Sequence, residues 1–189
     1  MSAAVVPAKP AGFIVTPGAS ADRTHATLVA LEEGLADITV VRLTLGTTSV
    51  KRAVATIAEA AADLANELGV GPTEIALGGR SFGGRCASVA HAEGLAVHSL
   101  VLLSYPLHPP GKPDKLRVDH FGQITAPTLM VSGEKDPFGT PAEFARHVGA
   151  IQGPVESTWV AGNHAPKGTA EIVTVVAEFL NSDGIGAAG

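Results

Sequence analysis

The feature that most constrains the fold is a regular alternation of short apolar runs with longer helix-like segments. Six runs rich in β-branched residues are predicted to be strands, at residues 13–16, 38–43, 74–78, 99–103, 128–132 and 157–160. Apolar strands separated by helices are typical of a parallel sheet that is covered on both faces. We therefore predict an α/β fold, with a mostly parallel sheet of about six strands and helices on both faces.

Helix signals fill the gaps between these runs. Residues 51–68 carry apolar side chains at three- and four-residue steps, which predicts a helix with one face against the sheet. Thr140-Pro141-Ala142-Glu143 has the composition of a capping box and predicts a helix from Pro141 to about Val148. A third stripe, from Ile172 to Leu180, predicts a last helix that ends at the polar run beginning with Asn181.

The length of the chain suits a single domain. A chain of 189 residues, of which 46% are apolar, can bury one good core. We expect a domain over residues 13–181, a flexible arm over residues 1–12 and a flexible tail over residues 182–189. The longest connection, residues 105–126, is broken by prolines in its first half and is too short to form a lid domain.

Charge and cysteine content exclude several classes of function. The net charge of −5 argues against a nucleic-acid or anionic-membrane surface, and no apolar run reaches the length that spans a bilayer. Without a signal-like start, the default expectation is a soluble cytoplasmic protein whose partner is a small molecule. Cys86 is the single cysteine, so an internal disulfide and a multi-thiolate metal site are excluded. Its apolar neighbours predict a buried thiol, and no metal or organic cofactor is implied.

A candidate nucleophile lies in the run Gly79-Arg80-Ser81-Phe82-Gly83, between a predicted strand and an apolar helix. A serine on such a sharp turn exposes its hydroxyl, and glycines two residues away on either side prevent collisions with the neighbouring backbone. The plain alternative is a glycine-rich turn that only lets a helix and a strand approach each other. Two phosphate-binding interpretations fail, because a dinucleotide fingerprint lacks its second glycine and a P-loop would end in Lys-Ser or Lys-Thr, where this chain has Arg85-Cys86.

A nucleophilic serine needs a base and an acid from later strands, in the order Ser, Asp or Glu, His. His164 follows the last predicted strand directly and is the predicted base. Asp136, in the turn after the strand at residues 128–132, is the preferred acid, and Glu134 is the second candidate. Asp136 could also be an ordinary turn residue before Pro137.

The rest of the predicted site comes from loops at the same edge of the sheet. The backbone amide of Phe82 and an amide near Ala19 are candidate oxyanion donors, although the segment 17–20 could equally be a turn before a helix capped by Ser20 or Asp22. We expect a shallow acyl pocket to be lined by four residues that follow strand ends: Tyr105, Leu107, His108 and Phe138.

These runs together resemble the α/β-hydrolase superfamily. The segments 78–85 and 105–113 are similar to a small, lidless branch of dienelactone-hydrolase-like proteins. That branch includes bacterial hydrolases, vertebrate testis-expressed homologues and a regulatory subunit of a histone-acetyltransferase complex. The resemblance covers about residues 13–180 and implies a reduced hydrolase core with a triad of Ser81, Asp136 and His164.

The chain departs from this branch at residues 17–20, where members usually carry a His-Gly-Ala-Gly type of turn. True dienelactone hydrolases use a cysteine nucleophile, so Ser81 argues against their substrate. The sequence therefore predicts a serine hydrolase of small esters or thioesters that works through an acyl-enzyme. A non-catalytic binding or regulatory module and a non-hydrolytic enzyme on the same scaffold are the alternatives, because fold alone does not establish activity.

Overall fold

The computed structural model describes residues 9–182, which form one six-stranded sheet. All neighbouring strands are parallel, in the order β2-β1-β3-β4-β5-β6. The strands are β1 (Gly12–Thr16), β2 (Thr39–Arg42), β3 (Ile75–Arg80), β4 (Leu100–Leu103), β5 (Thr128–Gly133) and β6 (Val155–Val160). The α/β prediction with a parallel sheet of about six strands is confirmed.

Within residues 9–182, four α-helices connect strands and a fifth follows β6: α1 (Ala26–Gly34), α2 (Val50–Leu68), α3 (Phe82–Ala92), α4 (Pro141–His147) and α5 (Thr169–Asn181). Helix α2 begins after Ser49, whose hydroxyl accepts from the Arg52 amide, and ends at Gly69 in the left-handed conformation. Helix α4 has the predicted capping box between Thr140 and Glu143. None of the helices within residues 9–182 combines the length and apolarity needed to cross a bilayer.

The core has two layers because the apolar strands bury both faces of the sheet. On one face, Ile57 and Leu64 of α2 pack with Cys86 and Ala87 of α3 over Leu77. On the other face, α1 and α5 cover side chains such as Phe13 and Val101. Helices on both faces are thus confirmed, and within residues 9–182 the connection from β4 to β5 holds a single turn of 3-10 helix and no lid domain.

The first helix departs from the sequence-based alternative that placed its cap at Ser20 or Asp22. It begins at Ala26, and the imidazole of His25 accepts from the Thr27 amide. Asp22 instead accepts from the backbone and hydroxyl of Thr24 and closes a local turn. The segment after β1 is therefore a longer loop than a direct strand-to-helix turn would be.

The terminal predictions fall partly outside the described residues. Of the predicted arm, residues 1–8 are not described, and Gly12 already pairs with both β2 and β3. Of the predicted tail, residues 183–189 are likewise outside the described chain.

Strand order fixes the edge of the sheet at which a site can form. The chain leaves β1 toward β2 on one side, whereas β3 continues through β4 to β6 on the other side. A crevice opens at the carboxyl ends of strands where the winding reverses in this way, here between β1 and β3. The loop after β1 and the turn after β3 meet at this crevice.

Candidate active site

Ser81 stands alone between the end of β3 at Arg80 and the start of α3 at Phe82. Its backbone has φ 51° and ψ −118°, a conformation that residues other than glycine rarely adopt. Such a conformation costs on the order of 1–3 kcal/mol and persists only where the surroundings hold it. Here the Ser81 amide donates to the Leu103 carbonyl at 2.8 Å, which ties the turn to β4.

The glycines on either side of Ser81 allow the turn to lie directly against β1. A Cβ atom added to either Gly79 or Gly83 would lie 2.7 Å from the Thr16 carbonyl oxygen. Real Cβ atoms do not approach a backbone oxygen so closely. The close approach accounts for both glycines in the way that the sequence interpretation expected.

A chain of hydrogen bonds joins Ser81 to two residues far away in the sequence. The distance from Ser81 Oγ to His164 Nε2 is 2.9 Å, and the distance from His164 Nδ1 to Asp136 Oδ2 is 2.8 Å. A carboxylate can only accept, so the proton of the imidazole lies on Nδ1 and the lone pair of Nε2 faces the Ser81 hydroxyl. This arrangement is chemically able to take a proton from the serine.

The geometry distinguishes between the two acid candidates. Asp136 is 1% exposed and accepts both from His164 and, at 2.9 Å, from the backbone amide of Phe138. Glu134 is exposed, and its hydrogen bond to the Val160 carbonyl comes from its backbone amide. The structure therefore brings Asp136, and not Glu134, to the histidine.

Two neighbours hold the imidazole and its loop. The Phe138 ring stacks on His164 with ring centroids 4.0 Å apart and planes inclined by 27°. The Arg80 guanidinium donates to the His164 carbonyl at 2.6 Å. Burial lowers the pKa of Arg80, while the Asp136 carboxylate opposes that effect. Phe138 thus holds the ring of His164, and Arg80 holds its backbone.

A cavity of about 450 Å³ opens over the Ser81 hydroxyl. The turn around Ser81 and the loops after β1, β2, β4, β5 and β6 all contribute to its lining: Gly18, Ala19, Ser20, Ala21, Thr48, Arg80, Ser81, Phe82, Arg85, Pro106, Arg117, Phe138 and His164. Both candidate oxyanion residues border it. Phe82 is the first residue of α3, so its amide has no acceptor within the helix. The Ala19 amide makes no hydrogen bond within residues 9–182.

The predicted lining of the pocket needs correction, since Phe138 borders the cavity but Tyr105, Leu107 and His108 do not. Tyr105 and Leu107 are fully buried in the core, and the Tyr105 hydroxyl donates to the Arg117 carbonyl at 2.6 Å. His108 turns away toward α4, with Nε2 3.3 Å from Glu143 Oε1. Two large apolar side chains gain more from burial than from lining a wet cavity, so the residue between them, Pro106, faces the site instead.

Three arginines in the cavity wall were not singled out from the sequence. Arg85 lies four residues after Ser81 on α3, and that spacing, which places residues on one helix face, could have identified it. Arg117 comes from the long loop, whose path no local pattern predicts. Within residues 9–182, no three side chains among His, Cys, Asp and Glu are grouped as metal ligands would be.

Comparisons with known proteins agree with this architecture. The family described as an alpha/beta hydrolase domain matches residues 9–171 of the chain. Est1E from Butyrivibrio proteoclasticus, solved with ferulic acid bound, is 18% identical, covers 92% of this chain and 89% of its own, and superposes with a TM-score of 0.71. Dienelactone hydrolase from Anabaena variabilis is also 18% identical, with coverage of 90% and 85% and a TM-score of 0.73.

A carboxylesterase from Bacillus cereus is more distant in sequence, at 15% identity, with coverage of 90% and 87% and a TM-score of 0.64. At these identities the solved structures share the fold with this chain, and the dienelactone-hydrolase-like resemblance is confirmed at that level. The family match covers most of the chain, including the strand-to-helix turn at Ser81 and the loop that carries His164. The chain therefore belongs to the alpha/beta hydrolase family.

Proposed function

We propose that this protein is a serine hydrolase that cleaves small ester or thioester substrates through an acyl-enzyme. The observation that carries the proposal is the continuous path from the Ser81 hydroxyl through His164 to the buried Asp136 carboxylate, with distances of 2.9 and 2.8 Å. Nucleophile, base and orienting acid are then all within hydrogen-bond reach before a substrate arrives.

In the proposed reaction, Ser81 Oγ attacks the carbonyl carbon while its proton passes to His164 Nε2. Asp136 holds the ring and stabilises the imidazolium that forms. The tetrahedral intermediate collapses when His164 gives the proton to the departing alcohol or thiol. Water then attacks the acyl-serine with His164 again as the base, the acid leaves, and Ser81 regains its proton.

Oxyanion stabilisation is assigned to the amides of Phe82 and Ala19. The Phe82 amide lies at the N-terminus of α3, where the helix dipole favours negative charge. The Ala19 amide in the loop after β1 has no hydrogen-bond acceptor among residues 9–182, which supports the second assignment. The residues 17–20 that depart from the relatives' usual turn still border the cavity at Gly18, Ala19 and Ser20.

The volume of the cavity supports a small substrate. About 450 Å³ is at the lower end of the range for small-molecule sites, and within residues 9–182 no lid covers it. A compact ester or thioester fits such a space better than a long acyl chain does.

Labelling with a fluorophosphonate probe tests the proposal directly. Intact-mass measurement should show one adduct on the wild-type protein, none on Ser81→Ala, and strongly reduced labelling on His164→Ala. Ser157→Ala, which removes an exposed hydroxyl on β6, is the matched control and should label normally. A folded wild-type protein that takes no label would reject the hydrolase proposal and favour a binding module on the same fold.

A further inference from the structure

The cavity wall has a charge opposite to that of the chain as a whole. The protein carries 18 acidic and 13 basic residues, yet the part of the lining that comes from residues 9–182 contains Arg80, Arg85 and Arg117 and no carboxylate. Within residues 9–182, no Asp or Glu oxygen lies within 4 Å of any of these three guanidinium groups. Positive charge is therefore concentrated over the proposed nucleophile.

Arg85 and Arg117 are close enough to influence each other. Burial lowers the pKa of Arg117, and the charge of Arg85 lowers it further. The Nε atom of Arg85 is buried and has no hydrogen-bond partner within the described chain. An anion bound between two like charges relieves their repulsion and accepts hydrogen bonds from their donors.

Both arginines are held in place by the fold. Arg85 is one helical turn after Ser81, about 6 Å along α3 at 1.5 Å per residue. The backbone of Arg117 is fixed from two sides, because its amide donates to the Leu107 carbonyl at 2.8 Å and its carbonyl accepts from the Tyr105 hydroxyl at 2.6 Å. The long loop between β4 and β5 thus places the cationic side chain of Arg117 in the cavity wall.

Arg80 does not serve the same purpose. Its guanidinium already donates to the His164 carbonyl and is influenced by the Asp136 charge. The groups left for a ligand are those of Arg85 and Arg117.

We infer that the substrate of this enzyme carries a carboxylate, bound by Arg85 and Arg117, close to the ester or thioester that Ser81 attacks. This inference rests on the proposed hydrolase function and specifies its substrate class. A planar carboxylate matches the fork of a guanidinium, and the separation of one helical turn places it a few bonds from the scissile carbonyl.

Two matched pairs of esters test whether a carboxylate on the substrate is recognised, and whether it belongs to the acyl part or to the leaving group of the scissile ester. Phenyl hydrogen adipate and phenyl methyl adipate differ by one carboxylate on the acyl part, whereas 4-acetoxybenzoate and its methyl ester differ on the leaving group. With the wild-type protein, kcat/KM for release of the phenol should be at least tenfold higher for the anionic member of one pair, and that pair identifies the side. The preference should decline with added salt.

Arg85→Met and Arg117→Met should each lower the ratio of anionic to neutral kcat/KM by about tenfold or more. Arg146→Met, which removes an exposed arginine on α4, is the control and should leave the ratio unchanged. Equal rates within both pairs, or an unchanged ratio in both cavity variants, would overturn the inference while the hydrolase proposal stands.

A binding measurement separates the inference from catalysis. Calorimetry of phenyl hydrogen adipate and 4-acetoxybenzoate with Ser81→Ala should detect binding of at least one of them, and adding Arg85→Met and Arg117→Met should abolish it. Failure of wild-type hydrolysis with this binding intact would reject the hydrolase proposal alone. Absence of charge-dependent binding and of charge-dependent hydrolysis would reject the carboxylate site.

Discussion

Replacing Asp136 with asparagine should remove most of the proposed activity without unfolding the protein. In the structure, one carboxylate oxygen accepts from the Phe138 amide at 2.9 Å, and the other accepts from His164 Nδ1 at 2.8 Å. In the Asp136→Asn variant, the side-chain oxygen would keep the bond to Phe138, because an NH₂ group there would face another donor. The NH₂ group would then lie 2.8 Å from His164 Nδ1, closer than the retained oxygen at 3.0 Å, and the proton of the imidazole would move to Nε2. In that tautomer the histidine cannot accept the proton of Ser81.

The size of the effect follows from these contacts. Restoring a favourable contact in the active tautomer requires turning the side-chain amide, which leaves the partly buried Phe138 amide unpaired at a cost of about 1–3 kcal/mol. Loss of the charge-assisted bond to the imidazolium costs a further ~1.5–3 kcal/mol. At about 1.4 kcal/mol per factor of ten, the sum predicts a loss in kcat/KM of roughly 10²- to 10⁴-fold.

The assay is hydrolysis of phenyl acetate, with thermal unfolding measured in parallel. Asp136 is buried and the substitution keeps its shape, so Tm should change by only a few degrees, on the order of 1 kcal/mol in stability. Glu134→Gln is the matched control in the same turn, because that carboxylate is exposed and should be dispensable. An Asp136→Asn variant with activity within a fewfold of wild type would refute the assignment of Asp136, as would a comparable loss in Glu134→Gln.

Three further predictions concern the scaffold around Ser81. Cys86 is fully buried and desolvation raises the pKa of its thiol to about 12, so a disulfide-exchange reagent should react with it only after denaturant is added; rapid reaction of the native protein would contradict this burial. Burial and the charge of Arg85 lower the pKa of His120 to about 4, so the neutral ring stabilises the fold fully above the unfolded value near 6.5 and progressively less as the pH falls toward 4. Denaturant titrations should therefore show that the free energy of unfolding falls between pH 7 and pH 4.5 by ~1–2 kcal/mol less in His120→Gln than in the wild type, after allowing for the partial exposure of the ring. Equal losses in the two proteins would exclude this linkage. Gly83→Ala should lower the free energy of unfolding by ~1–3 kcal/mol or more, because its Cβ would lie 2.7 Å from the Thr16 carbonyl oxygen, and a neutral result would show that β1 and α3 can separate.

Much of the fold could be predicted from the sequence because its signals are local. The apolar stripe over residues 51–68 predicted α2, which spans Val50–Leu68, and the capping box at Thr140 predicted the start of α4. The bounds of the six strands were placed within about two residues of those observed, as where β6 begins at Val155 rather than at residue 157. The start of helix α1 was placed too early, at a cap on Ser20 or Asp22, because its actual cap is His25, a residue that seldom signals a helix start.

The same reasoning located the candidate nucleophile, base and acid. Ser81, Asp136 and His164 each follow a predicted strand, and parallel strands end at one edge of a sheet, so topology alone brings them together. The choice between Asp136 and Glu134 depended on which side chain turns inward after β5; the buried Asp136 carboxylate is held there by the hydrogen bond from the Phe138 amide.

The sequence by itself determined the class of fold and the edge of the sheet where the residues of the candidate site meet. Both follow from local patterns, namely the hydrophobic periodicity of each segment and the alternation of strands with helices along the chain. Only the tertiary structure decided what surrounds Ser81. The path of residues 105–126 depends on the burial of Tyr105 and Leu107 and on the hydrogen bond from Tyr105 to Arg117, which are contacts no local pattern encodes. That path removed Tyr105, Leu107 and His108 from the expected pocket and put Arg117 beside Arg85 in its wall.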